Sequence, residues 1–319
     1  MDLLRAYRAR GADPPYGDPA RAHGTPLEGY YWRIVEPVGG RVVVALCGVC
    51  RGPAGAWALV TLAGHPGRFA RSAIEAPVAP DPAGFGVRAG GALHGDRRHV
   101  AVDLGPEARL DVTLDDAVPF PRGAFGALGP AQLVPGLPQY WHPVVLAARA
   151  RGEARIGGET IRLDGAVAYA EKNWGRAFPG RWWWGHAGAF AGAPVTVAFA
   201  GGPVRLAGAR VAPTTVVVRL GDEVLRLTPP AGRSRVAVGG GAWRVAARGS
   251  GVAVDIEGDA AGTEPHVLEV PVPGERRTDP RSRQHLAARL AVTIHRGRRT
   301  LFRGESPLAG LELGRPAGE

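Results

Sequence analysis

An all-β chain of two consecutive antiparallel lobes is predicted by three features of the sequence. Short runs rich in β-branched residues follow one another along most of its length, as at 41–49 and 214–220. The 48 glycines and 29 prolines are scattered as punctuation between these runs and form no repeat. No segment holds a 3.6-residue apolar period over a dozen positions, apart from a turn or two of helix at 3–8. At 319 residues the chain is long for one core. Two lobes are therefore expected, over 1–165 and 166–319.

Taken in order, the first lobe has strand texture at 41–49, 56–63, 85–89, 99–104 and 109–114. The second has it at 194–200, 214–220, 223–227, 235–238, 243–247, 252–256 and 266–270, with a closing pair at 286–295 and 300–303. Between them, 120–190 crowds aromatic residues, prolines and glycines together. It reads as the seam between the lobes, and ligand sites favour domain interfaces and barrel mouths.

Composition narrows the function classes. Apolar residues form 45% of the chain, which excludes a disordered protein. The net charge of +10 comes almost wholly from arginines spread along the sequence, with modest clusters at Arg276, Arg277, Arg281, Arg283 and at Arg296, Arg298, Arg299. A nucleic-acid binder concentrates such charge on one stripe, so no nucleic-acid partner is expected; peripheral contact with an anionic membrane fits diffuse charge better. Residues 1–15 carry three arginines and no apolar core ahead of a small-residue cleavage site, unlike a signal peptide. No apolar run approaches the ~20 residues that span a bilayer. Cytoplasmic residence is the resulting expectation. The two cysteines, Cys47 and Cys50, lack the further ligands zinc needs, and on a strand they point to opposite faces; they read as structural.

Arginine, alanine, glycine and proline are abundant while lysine and asparagine nearly vanish, as a GC-rich genome dictates. The chain's single lysine and single asparagine are nevertheless neighbours, Lys172 and Asn173. Arginine would serve any generic surface charge, whereas a tight site can demand the compact ammonium of lysine. Around the pair runs Tyr169-Ala170-Glu171-Lys172-Asn173-Trp174-Gly175, followed by Phe178-Pro179 and Trp182-Trp183-Trp184, so four of the eight tryptophans fall in this window. If 166–174 is a strand, Tyr169, Glu171 and Asn173 share one face, and Lys172 and Trp174 the other. Trp182, Trp184 and His186 would likewise share a side of the next strand. A carboxyl against such apolar walls has its pKa raised by desolvation. A tryptophan run also serves as core filler, and an acid with a lysine and an amide also makes a structural ion pair or a hydrogen-bond set at a strand end.

This motif, over 168–184, resembles the tocopherol cyclase family, whose members carry a closely similar run of tyrosine, acid, lysine, asparagine, tryptophan and glycine, then phenylalanine-proline and spaced tryptophans. Two further regions are similar to it: His23-Gly24-Thr25-Pro26-Leu27-Glu28-Gly29-Tyr30-Tyr31-Trp32 and Gly136-Leu137-Pro138-Gln139-Tyr140-Trp141-His142-Pro143. Weaker similarity covers 281–314, ending in Leu308-Ala309-Gly310-Leu311-Glu312. More distantly, the motif resembles that of carotenoid hydratases. The chain departs from the family at His186 and Gly188, where glutamine and asparagine are usual.

The resemblance implies two lipocalin-like β-barrel or sandwich lobes. It also implies cofactor-independent, metal-free cyclisation of a prenylated quinol or related isoprenoid, an apolar small molecule with a polar ring. A prenyl double bond is protonated, and the tertiary carbocation is captured by the substrate's own hydroxyl, or by water in a hydratase. Such chemistry needs a positioned acid, an apolar pocket and aromatic faces for the cation. Glu171, Lys172, Asn173, Tyr169 and His186 are the candidate catalytic residues, although His186 also reads as a satisfied structural histidine. Trp174, Trp182, Trp184, Glu28, Tyr31, Trp32, Tyr140, Trp141 and His142 are the candidate substrate-binding residues. The competing expectation is a non-catalytic carrier of a lipid or terpenoid, since lipocalin-like barrels often only bind.

Overall fold

Two kinds of strand build this molecule, those buried on one face and those buried on both. The structure, a computed structural model, describes residues 3–53, 55–206 and 209–316, of which 64% is strand and 5% helix. The chain enters through a short helix α1 (Leu3–Arg8) and a 3₁₀ turn at Pro19–Arg21. It then forms β1 (Leu27–Glu36), β2 (Arg41–Gly52), β3 (Gly55–His65), β4 (Phe69–Glu75), β5 (Val78–Pro80), β6 (Gly86–Ala89), β7 (Leu93–Asp96), β8 (His99–Asp103) and β9 (Ala108–Pro119). A second 3₁₀ turn at Gly129–Leu133 precedes β10 (Gln139–Ile156), β11 (Glu159–Arg162) and β12 (Ala166–Gly175). These twelve strands make one sheet in the order β4-β3-β2-β1-β12-β10-β9-β8-β7-β6-β5, with β11 paired to β10. Its ends curl together until β3 meets β5 and β6, so the sheet is a nearly closed barrel.

The second sheet uses β13 (Trp182–Ala187), β14 (Val195–Gly201), β17 (Thr214–Leu220), β18 (Glu223–Leu227), β19 (Gly232–Gly239), β20 (Ala242–Gly249), β21 (Val252–Asp259), β22 (His266–Val272), β23 (Arg277–Arg296) and β24 (Arg299–Gly314), while β15 (Val204–Leu206) and β16 (Ala209–Val211) form a separate ribbon. The order is β18-β17-β14-β13-β24-β23-β21-β20-β19, with β22 on β23 and β18 returning to β19. All pairings are antiparallel, and the two lobes are lipocalin-like.

The one-faced strands are the legible ones. In β9, Ala108, Leu110, Val112 and Leu114 are buried while Arg109, Asp111 and Thr113 are exposed, the alternation of a wall between core and water. The helix at Leu3–Arg8 and the strands at Thr214–Leu220 and Glu223–Leu227 lie where the sequence places them. By contrast β1 is buried at nine of its ten positions, because one face lines the first barrel and the other meets the second lobe. Continuous burial leaves no alternation, which is why β1 has no strand signature in the sequence. β10 is hidden for another reason: Pro143 lacks an N–H for the ladder, and the pairing with β12 shifts register on either side of Val145.

β12, which lies just past the boundary expected at 165/166, pairs with β1 and β10, so the change from the first sheet to the second falls after Gly175. Each barrel keeps its own apolar interior, and a third cluster containing Tyr31, Trp141, Tyr169, Trp184, Leu286 and Leu308 joins the lobes. The 120–190 stretch supplies only part of that seam, since β1, β23 and β24 come from outside it.

Candidate functional site

Two ribbons face each other at the seam, one from each lobe. In the β1–β12 ribbon Tyr31 pairs with Glu171 and Arg33 with Tyr169; in the β13–β24 ribbon Trp184 pairs with Glu312 and His186 with Gly310. Directly opposed residues on an antiparallel pair share a face, so these eight positions meet as two layers. Gly310 permits the approach: a Cβ there would lie 2.9 Å from the Trp184 ring and 3.3 Å from the Arg33 guanidinium carbon. Gly29 does the same for Asn173, whose amide would be 2.5 Å from an added Cβ. Arg33 bolts the lobes together, its Nη2 donating to the carbonyls of Leu286 at 2.7 Å and Leu308 at 2.6 Å.

The outer layer opens into a cavity of about 220 Å³. Its polar lining includes Tyr31, Trp141, Glu171, Asn173, Ser282 and Glu312, and its aromatic and apolar lining includes Trp182, Trp184, Phe178, Leu268 and Val270. The Trp141 indole N–H is buried without a hydrogen-bond partner among the described residues, a donor available to a ligand oxygen.

Glu171 is 5% exposed, and burial raises its carboxyl from 4.5 to about 7. Its hydrogen-bond donors are neutral: Tyr169 Oη donates at 2.6 Å and Trp184 Nε1 at 2.9 Å, both to Oε2. The Trp141 indole lies near enough to favour the charged form without hydrogen-bond geometry. These dipoles oppose desolvation but do not overcome it, and the charge of Glu312 pushes the pKa further up. With Oε2 engaged twice, Oε1 is the atom that can carry a proton into the cavity.

Glu312 stands on the other wall. Trp182 Nε1 donates to its Oε1 at 2.6 Å, Ser282 Oγ to the same oxygen at 3.0 Å, and Gln284 Nε2 to Oε2 at 3.1 Å. Burial raises this carboxyl as well, against those three donors. Gln284 also donates to the Tyr31 hydroxyl at 3.3 Å, which links Glu312 to the partner strand of Glu171.

The structure thus gathers Glu171, Asn173, Tyr31, Trp141, Trp182 and Trp184 of the sequence candidates around one cavity, with Tyr140 also reaching its wall. Tyr169 and His186 lie behind, stacked with ring centroids 4.0 Å apart. Neither His186 ring nitrogen has a partner among the described residues, and burial, then Arg33, lowers its pKa well below the usual value, so the imidazole is neutral.

Lys172, Trp174, Glu28, Trp32 and His142 do not line the cavity. Lys172 points the other way along β12, fully buried, with Nζ donating to the carbonyls of Ala20 at 2.9 Å and Ala22 at 2.8 Å and lying 3.5 Å from Glu28. Glu28 also receives Tyr30 Oη at 2.9 Å, Gly24 N at 2.8 Å, His23 at 2.8 Å and Arg51 at 2.7 Å. Lys172 and Glu28 therefore pin the N-terminal segment across the barrel. Trp174 stacks on Tyr140 and donates Nε1 to the Gly11 carbonyl at 2.8 Å, and the Trp32 indole donates to Asp96 O at 2.9 Å. His142, its pKa lowered to about 3 by burial, accepts from Ala127 N at 3.3 Å.

Glu312, Ser282 and Gln284 are the site residues that sequence reasoning missed. Their one signal was the weak likeness over 281–314; nothing in strand spacing ties Glu312 to Glu171. Cys47 and Cys50 are buried in separate apolar clusters, and burial raises both thiols, that of Cys50 to about 12. Among the described residues no group of three or more His, Cys, Asp or Glu side chains could hold a metal.

The model of a tocopherol cyclase-like family matches residues 135–315, which carry β10, the Glu171 motif and Glu312. The chain belongs to the tocopherol cyclase-like family. Among curated relatives, the chloroplastic tocopherol cyclase of Zea mays is 26% identical over 127 residues, 38% of this chain and 27% of that protein. A probable chloroplastic tocopherol cyclase of Oryza sativa subsp. japonica is 34% identical over 59 residues, 18% of this chain and 13% of the rice protein. The chain thus covers about a quarter or less of the length of these relatives. CghA with Sch210972 superposes at a TM-score of 0.61 and 12% identity over 91% of this chain and 88% of that one. Kievitone hydratase from Nectria haematococca does so at 0.56 and 11% over 90% and 88%. At such identities these structures share the fold.

Proposed function

We propose that the protein cyclises a prenylated phenol or quinol without a cofactor, Glu171 donating a proton to the prenyl double bond. The observation that carries this is a buried carboxyl that faces an aromatic cavity, its pKa raised to about 7 by desolvation with only neutral donors to oppose the rise. A general acid works best with its pKa near the working pH. Trp182 and Trp184 offer faces to a tertiary carbocation, and the apolar walls exclude the bulk water that would quench it. Family membership supports a cyclase-like activity. The cavity of about 220 Å³ is below the ~300–1,000 Å³ of sites that enclose a drug-sized ligand. It therefore takes the ring and the first isoprene unit, and the rest of a long tail lies along the mouth past Phe178 and Pro179.

The test is incubation with a geranylated benzoquinol in deuterated buffer. A ring-closed product carrying one solvent deuterium is expected, and Glu171→Gln should lower the rate about a hundredfold to ten-thousandfold while leaving binding intact. Tight binding with no product in the parent protein would instead make it a carrier.

Cytoplasmic residence with peripheral contact on an anionic membrane belongs to the same proposal. The net charge of +10 supports it, as does α1, which carries Arg5 and Arg8 beside a Leu3 that is 85% exposed. Among the described residues no helix is long and apolar enough to cross a membrane. Sedimentation with anionic but not neutral vesicles, reversed by salt, is the expected result.

A further inference from the structure

Protonating the alkene is half of the proposed reaction. When the ring oxygen attacks the cation it must lose its own proton, and a second group has to accept it.

From the geometry of the second wall we infer that Glu312 is that group, a catalytic base which takes the proton of the ring-closing hydroxyl while Glu171 supplies the one the alkene gains. The inference rests on the cyclase reading and assigns the second half of its chemistry. Glu312 lines the same cavity from the opposite sheet, on β24 and directly paired with Trp184 of β13, whose indole holds Glu171. Three donors, Trp182, Ser282 and Gln284, occupy both of its oxygens, against two donors on a single oxygen of Glu171. Donors on both oxygens suit the ionised form of Glu312, whereas the two hydrogen bonds to Glu171 fall on Oε2 and leave Oε1 for a proton; a charged Glu312 favours a protonated Glu171, so the geometry sets the two carboxyls up as a base and an acid. No cation is among the main influences on either carboxyl, so no salt bridge explains why two acids are buried together.

The step balances. The Glu171 O–H bond breaks and a C–H bond forms on the alkene; a C–O bond closes the ring; the phenolic O–H bond breaks and Glu312 is protonated. Nothing is oxidised or reduced. Product release through the open mouth lets water return a proton to Glu171 and remove one from Glu312. The substrate is thereby oriented, with its ring hydroxyl toward Ser282 and Glu312 and its double bond toward Glu171 and Trp184.

The test uses the full chain with 2-geranyl-1,4-benzoquinol, and with the same molecule methylated on the ring-closing oxygen as a ligand that cannot cyclise. The parent should show a bell-shaped pH profile of kcat/KM. Glu312→Gln should lower kcat/KM about a hundredfold to ten-thousandfold and erase the acidic limb, while the methyl ether still quenches tryptophan fluorescence at similar concentrations. Glu312→Ala should regain activity when formate is added, a response that a merely structural carboxylate would not give. Unchanged turnover and an intact acidic limb in Glu312→Gln overturn the inference and leave the cyclase reading standing. Lost methyl-ether binding without formate rescue makes Glu312 structural and overturns it as well. A parent protein that binds the quinol without cyclising it fails at the earlier step and removes both proposals.

Discussion

Glu171 and Glu28 are two buried acids on opposite faces of one strand pair, and their environments drive them apart. Glu28 sits with Lys172, His23 and Arg51, and the Lys172 ammonium, the His23 hydrogen bond and the Arg51 guanidinium together overcome desolvation and hold its pKa well below the ordinary 4.5. Glu171 has the dipoles of Tyr169, Trp184 and Trp141 and no cation among its main influences, and burial raises its pKa to about 7. Burial is common to both; the sign of the shift is set by whether the partners carry charge. One face is built to stay ionised and tie the N-terminal segment down. The other is built to hold a proton beside a cavity.

The largest expected effect breaks the charged face. Lys172→Ala leaves Glu28 buried with its compact cation gone, and removing one partner of such a pair costs about 3–5 kcal/mol, read by denaturant unfolding. Lys172→Arg should also destabilise the fold, because a planar fork replaces an ammonium held between the Ala20 and Ala22 carbonyls. In both variants the alkaline limb set by Glu171 should stay where it is.

Next is the pH dependence that Glu171 imposes on stability. Its folded pKa is raised, so as pH rises from 4.5 the unfolded chain ionises first and the folded state keeps its proton. Stability therefore falls between pH 4.5 and about 7, by roughly 3 kcal/mol in all, and stays low above that. Glu171→Gln should flatten this decline. Glu28 runs the opposite way: its stabilisation is present above pH 4.5 and is lost as pH falls toward its depressed folded pKa. Unfolding curves from pH 3 to 9 on Glu171→Gln and Glu28→Gln would separate the two slopes.

Tyr169→Phe sharpens the comparison within the neutral face. It removes a 2.6 Å donor that favours the carboxylate, so the alkaline limb of activity should move up by about one pH unit. The smallest effect is expected from Arg51→Gln at the solvent side of the charged face, about 1 kcal/mol and weakened by salt.

Residue chemistry and strand spacing were enough for the fold class, the one-faced strands and the separation of Glu171 from Lys172 to opposite faces, because a strand alternates with a period of two whatever surrounds it. They also picked out the single lysine beside the single asparagine, but could not say that each serves a different compartment. β1 and β10 were illegible: burial on both faces erases alternation in one, and Pro143 with its register shifts interrupts the other. Only the tertiary structure set Glu312 across a cavity from Glu171, since that meeting depends on how two sheets dock, which no local period encodes. It likewise decided which buried acid would find cations and which only dipoles. A side chain's pKa answers to the charges and dipoles within a few ångströms in space, and at Glu171 those come from β10, β12, β13 and β24.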